Sequence, residues 1–83
     1  MRKIILYSKS RCSSCANLKR YLGVRGIEYE EVSGDTAEGK TRMLTEGIFL
    51  AYFPALAVDG RLYQYADLFG ESGEVLDLSE ILS

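Results

Sequence analysis

"KIILYSKSRCSSCANLKRYLGVRGIEYEEV", residues 3–32, is the stretch whose reading decides the fold. It opens on Lys3–Tyr7, a short continuous apolar run rich in β-formers, which predicts a buried strand. Cys15, Leu18 and Leu22, with Tyr21 beside them, then fall on one side at helical spacing. That spacing predicts a helix over Cys12–Leu22, ended by Gly23 and Gly26. Ile27–Val32 returns to strand character through Ile27, Tyr29 and Val32. A strand, a crossover helix and a second strand predict a parallel pair with a right-handed connection.

The remainder extends this unit. Ser33-Gly34-Asp35 reads as a turn, and Asp35 with Glu38 has the spacing of a capping box. A helix is expected over Thr36–Glu46, with Met43 and Leu44 as its buried positions, weakened by Gly39 and stopped by Gly47. Ala55–Val58 is a third strand, Asp59-Gly60 a tight hairpin turn and Arg61–Gln64 a fourth strand. Tyr65–Phe69 reads as a short helix ended by Gly70. Asp77 and Glu80 have capping spacing for a last turn over Leu78–Leu82. The order β-α-β-α-β-β-α predicts an α/β protein: a four-stranded mixed sheet with helices on both faces. At 83 residues the chain is expected to be one domain, 1–83.

Composition narrows the function classes. Hydrophobic residues make up 47% of the chain, enough for a compact core and too many for disorder. A net charge of −2 without histidine argues against nucleic acid as the main partner. No apolar run is long enough to cross a membrane. MRKIILYSKS is too short in its apolar part for a signal peptide, so a cytoplasmic protein is expected. The charge is unevenly spread. Arg2, Lys3, Lys9, Arg11, Lys19, Arg20 and Arg25 precede every acid in the chain, and the two cysteines lie within this basic third. Such a cluster is either a solvated face or a positive field around a thiolate or an anionic ligand.

Cys12 and Cys15 are the chain's two cysteines. A bridge between them closes too small a loop to stabilise much through the unfolded state. A closed structural zinc site needs four ligands, and two cysteines without histidine do not supply them; only a site shared between chains would remain. Redox chemistry fits better. A helix start offers unpaired N–H groups and a positive dipole end, which favour a thiolate at Cys12, and Lys9 and Arg11 add positive charge. Cys15, one turn on and more buried, is placed to resolve a mixed disulfide formed at Cys12. A C-x-x-C inside a predicted β-α-β unit is a strong signal for a thioredoxin-like redox motif.

Phe53-Pro54 holds the chain's one proline, immediately before the third strand. A strand-initiating proline is the ordinary reading, and general preference favours a trans bond. Tyr7, Tyr52, Phe53 and Tyr65 either form an aromatic rim around the cysteines or pack in the core; small cores favour the second.

Taken together, ILYSKSRCSSC, GIEYEEV, YFPALAVDGRLYQ and YADLFG resemble the glutaredoxin family of the thioredoxin superfamily, through most of the chain. The resemblance implies a thioredoxin-like fold and dithiol–disulfide exchange. It makes Cys12 the nucleophile and Cys15 the resolving thiol. It makes Pro54 a cis-proline facing the cysteines, with the Phe53 backbone pairing with a bound peptide or glutathione. Lys9 would meet a glutathione carboxylate and Asp67 the amine of the γ-glutamyl end; Arg11, read from its charge beside Cys12, is a further candidate for binding the substrate or glutathione. The sequence departs from the family pattern in three places. Ser13-Ser14 stands for the commonest Pro-Tyr, Tyr52-Phe53 for threonine and valine, and Gln64-Tyr65-Ala66-Asp67 for a segment with paired glycines.

The expected function is therefore a glutaredoxin-like thiol–disulfide oxidoreductase reducing protein or glutathione mixed disulfides. It requires no metal or organic cofactor, and draws electrons from glutathione or a reductase. It is expected as a monomer meeting glutathione or a disulfide-containing protein, with neither nucleic acid nor membrane as partner. Two other readings stand beside it. One is a dimer holding a [2Fe–2S] cluster through Cys12 and external thiols, since a small residue after the first cysteine accompanies such forms in the family. The other is a non-enzymatic domain whose cysteines sense redox state.

Overall fold

The computed structural model describes residues 2–83. Strand β1 (Ile4–Ser8) is followed by helix α1 (Ser13–Val24), strand β2 (Glu30–Ser33) and helix α2 (Ala37–Thr45). Strands β3 (Ala55–Val58) and β4 (Arg61–Tyr63) come next, then the short helices α3 (Tyr65–Leu68) and α4 (Ser79–Leu82). The sheet order is β2-β1-β3-β4. β1 runs parallel to β2, with Leu6 opposite Glu31. β3 lies antiparallel to both β1 and β4.

All five residues of β1 are buried, which explains its unbroken apolar run: a central strand covered on both faces has no solvent side to mark with polar residues. Alternation sends Ile4 and Leu6 to one face, where Leu18 and Leu22 of α1 meet Leu56, Val58, Leu68, Phe69 and Leu78. Ile5 and Tyr7 go to the other face, with Val32, Met43, Ala55 and Ala57. The helices thus cover both faces.

Local chemistry sets the element ends. α1 passes through Gly23 and stops at Val24. Gly26, at φ 67°, then allows the Ile27 N–H to reach Leu22 O (3.0 Å) and the Gly26 N–H to reach Gly23 O (3.1 Å), a Schellman closure. α2 ends in the same way at Gly47, with the Ile48 N–H on Met43 O at 2.8 Å. The hairpin turn has Asp59 and Gly60 both at positive φ, 52° and 88°, as a two-residue I′ turn requires.

Four expectations are corrected. The cap of α2 is Thr36, whose Oγ1 accepts the Gly39 N–H at 3.0 Å; Asp35 is turned elsewhere. Gly39 is a packing requirement, because a Cβ there would lie 1.6 Å from Ser33 O. β2 begins at Glu30, since residues 27–29 lie ahead of the register with β1, and Ile27 and Tyr29 pack on the α1-side core. Leu44 is 64% exposed: adjacent residues on a helix diverge by about 100°, and Met43 takes the direction facing the sheet. Beyond α3, Phe69 pairs with Val75 in an isolated antiparallel bridge. Through Leu68, Phe69 and Leu78, the C-terminal segment joins the same core as β1.

Candidate active site

Cys12 is the N-cap of α1, with extended backbone (φ −120°, ψ 103°), so its side chain stands at the open end of the helix. Its Sγ accepts the Cys15 N–H at 3.1 Å. The helix start thus supplies a direct donor to this sulfur. Cys12 and Cys15 are joined in a disulfide, with Cα atoms 5.2 Å apart. Their environments differ: Cys12 is partly exposed, and Cys15 is 2% exposed. Cys12 is thus the more accessible of the two cysteines.

The Phe53-Pro54 peptide bond is cis, against general preference and in line with the resemblance. Phe53 O lies 3.8 Å from Cys12 Sγ, and Pro54 is buried. The Phe53 ring lies over Gly34, where a Cβ would meet ring carbon Cζ at 2.7 Å. The Lys9 ammonium is 5.9 Å from the centroid of the same ring. The fold therefore brings Cys12, Cys15, Phe53, Pro54 and Lys9 together. Arg11 occupies the exposed turn immediately before Cys12, in a left-handed conformation (φ 54°). Asp67 is used locally: its carboxylate accepts the Gln64 N–H at 3.0 Å and caps α3.

Two anchors missed in the sequence hold the approach to Cys12. Asp35 accepts both the backbone N–H and the hydroxyl of Ser10, the latter at 2.6 Å. These bonds hold its carboxyl below the usual aspartate range and tie the loop before Cys12 to the turn after β2. The Gly34 N–H adds a bond to Ser8 O at 2.7 Å. The polar loop residues Ser10 and Asp35 carried a signal, but Asp35 matched helix capping equally well. The second anchor is Ser8, buried at the end of β1, whose hydroxyl donates to Glu31 at 2.6 Å. Lys19 of α1 meets the same carboxylate at 2.6 Å. Lys19 first, then Ser8, hold the Glu31 carboxyl below its ordinary value.

The aromatic set divides. Tyr7 is core: it is buried, its OH donates to Glu46 at 2.9 Å, and burial first, then that bond, pushes its phenol up to about 12. Tyr52 is exposed, 6.4 Å from the ring of Tyr65, which stacks on Phe69 at 4.6 Å. This row of rings follows the chain on either side of Phe53-Pro54, and Tyr65 stands in the segment where the family carries glycines.

Comparison with known proteins agrees with this architecture. Glutaredoxin 1 from Francisella tularensis, solved in complex with cacodylate, superimposes with a TM-score of 0.67 at 18% identity, over 99% of this chain and 98% of that one. The thioredoxin-like protein BC3987 gives a TM-score of 0.63 at 25% identity, over 75% of this chain and 85% of that one. A point mutant of that protein gives the same score and identity, over 84% of its chain. No curated protein matches in sequence. The family profile described as Glutaredoxin matches residues 4–63, which span β1 through β4 with both cysteines and the cis-proline. A match over that much of the sequence, on that fold, makes this chain a member of the glutaredoxin family.

Proposed function

We propose that the protein is a dithiol–disulfide oxidoreductase of protein or glutathione mixed disulfides. One observation carries the reading. Cys12 is partly exposed, its Sγ accepts an N–H at a helix start, and it is bridged to a buried partner one turn away. In the reduced protein the same N–H and the helix dipole favour the thiolate at Cys12. That thiolate attacks one sulfur of a substrate disulfide. The substrate's other sulfur leaves as a thiolate and takes a proton from solvent. Cys15 then loses its proton and attacks the Cys12 sulfur of the mixed disulfide. The second substrate thiol leaves and the Cys12–Cys15 bridge closes. Two electrons pass from the dithiol to the substrate, and glutathione or a flavin-dependent reductase restores them. An extended substrate would pass Phe53 O, which lies 3.8 Å from Cys12 Sγ, and pair through its backbone as an added strand. Lys9 and Arg11 supply the positive field on the approach. The protein would act as a monomeric single domain in the cytoplasm.

The test is reduction of a small mixed disulfide coupled to NADPH, through glutathione with its reductase and separately through thioredoxin reductase. Turnover in either arm that vanishes in Cys12→Ser supports the reading; no turnover in both arms sinks it. Among the described residues, no group of three or more side chains suited to a metal ion comes together. A [2Fe–2S] cluster would take Cys12 from each of two copies and thiols from outside. Visible absorbance after anaerobic purification, lost in Cys12→Ser, is the result that would replace the oxidoreductase with that module.

A further inference from the structure

The α2 side of the site carries exposed apolar surface that the exchange chemistry above does not use. Leu44 is 64% exposed and Phe49 75% exposed. With Ile48, Leu50, Phe53 and Lys40 they line an open groove of about 420 Å³. Large apolar side chains standing together at this exposure mark a binding surface more often than scattered ones do. Phe53 links this groove to the chemistry: its ring lines the groove, while its carbonyl oxygen is 3.8 Å from Cys12 Sγ.

The charged residue that lines the groove is a cation. Lys40 lies in its wall, and the Lys9 ammonium stands 5.9 Å from the Phe53 ring. The nearby acid, Asp35, is hydrogen-bonded to Ser10 and keeps its charge; Lys9 and Lys40 both act on it, so two cations stand against one carboxylate. The groove is thus apolar with a cationic edge, on a protein whose net charge is −2. A tripeptide thiol such as glutathione has no apolar side chain to place there. An acidic, apolar polypeptide does.

Resting on the oxidoreductase reading, we propose that the Leu44–Phe49–Phe53 groove selects the substrate. The occupant is the segment of a client protein that flanks its disulfide, carrying an aromatic or branched apolar residue and an acidic residue on the same face. Once the client's cysteine is bonded to Cys12, the segment runs past Phe53 as an extended strand. Side chains two residues apart share a face and lie about 7 Å from one another. The residue two positions from the client's cysteine therefore drops beside the Phe53 ring, and an acidic residue two positions further, on the same face, meets Lys40 and Lys9. The covalent step is unchanged: Cys12 takes the client sulfur, and Cys15 releases it as a thiol.

The probes are short cysteine peptides held as mixed disulfides with thionitrobenzoate. Each carries Phe and Asp on one side of the cysteine, in both chain directions, and is paired with a control in which Phe is Ser. The mixed disulfide of glutathione with thionitrobenzoate is the reference. Reduced protein is mixed with each, and release of the thionitrobenzoate anion is followed in a single turnover. At least one Phe-Asp peptide is expected to react about tenfold or more faster than its Ser control and than the glutathione probe. The ratio should fall toward one in the Leu44→Ser/Phe49→Ser variant, whose two sites are exposed and whose fold is checked by circular dichroism. Replacing the peptide's Asp by Lys should slow the reaction several-fold at low salt, less so at high salt. Equal rates for Phe and Ser peptides in wild type, or a preference that survives in the double variant, overturns the proposal. So does a wild-type dimer that the double variant abolishes without any peptide preference, which would assign the groove to a second copy. If no probe reacts faster with wild type than with Cys12→Ser, the oxidoreductase reading fails and the groove's role falls with it.

Discussion

The two faces of the sheet are covered very differently. On one, the 12-residue helix α1 and the C-terminal segment close over Leu6, Leu18, Leu22, Leu56, Leu68 and Leu78, all essentially inaccessible. On the other, the 9-residue helix α2 contributes Met43 to a smaller cluster built on Tyr7 and Ala55, while Leu44 and Phe49 remain in solvent. Cys12 stands at the end of the first helix and Phe53 at the end of the second cluster. The site is where a well-buried half meets a half with apolar surface to spare. The first half is built for rigidity and the second for contact.

The largest effect should come from breaking the first half. Leu18→Ala or Leu56→Ala removes a fully buried side chain and should cost about 2–5 kcal/mol in denaturant unfolding. Leu44→Ala, also a leucine on a helix, should change stability by less than about 0.5 kcal/mol. Comparable losses at both sites would break the contrast between the faces.

The two helical glycines sharpen it. Gly39→Ala puts a Cβ against the Ser33 carbonyl and should destabilise by about 1–3 kcal/mol or more. Gly23→Ala meets nothing within 4 Å and should stabilise α1 by up to about 0.5–1 kcal/mol. Thermal melts of both variants give the two signs directly.

This difference also explains what was legible. The Lys3–Tyr7 run, the cysteine spacing and Asp59-Gly60 were readable because each has one physical meaning: a strand buried on both sides, a pair at a helix start, a positive-φ turn. The α2 side was not. Asp35 and Thr36 are both competent caps, and only the position of Ser10 shows that Asp35 is engaged there. Gly39 has the appearance of a helix weakener because its crowding comes from Ser33, a contact between a helix and a strand end. Leu44 reads as core beside Met43 because composition does not say how much of a sheet face a short helix will cover. Cis Pro54 came from resemblance, since propensity favours trans.

A smaller effect is expected from pH. The Tyr7 phenol is raised to about 12 by burial and by its bond to Glu46. Its contribution is therefore complete below the unfolded value near 10 and is lost as pH rises through about 12. Stability measured across that alkaline window should fall in wild type, with a shallower slope in Tyr7→Phe. On the first face, Glu31 is shifted the other way by Lys19 and Ser8, so its contribution is present above the ordinary glutamate range and fades as pH falls through the lowered value. Lys19→Met should cost only about 0.2–1 kcal/mol near neutral pH, measured by urea titration.

The central claim is that the two sulfurs have unequal roles. The most direct test is brief alkylation of the reduced protein with limiting iodoacetamide at neutral pH, followed by peptide mapping. The account predicts label on Cys12 first, with Cys15 protected while the protein stays folded. Equal labelling of both cysteines, or faster labelling of Cys15, would contradict it.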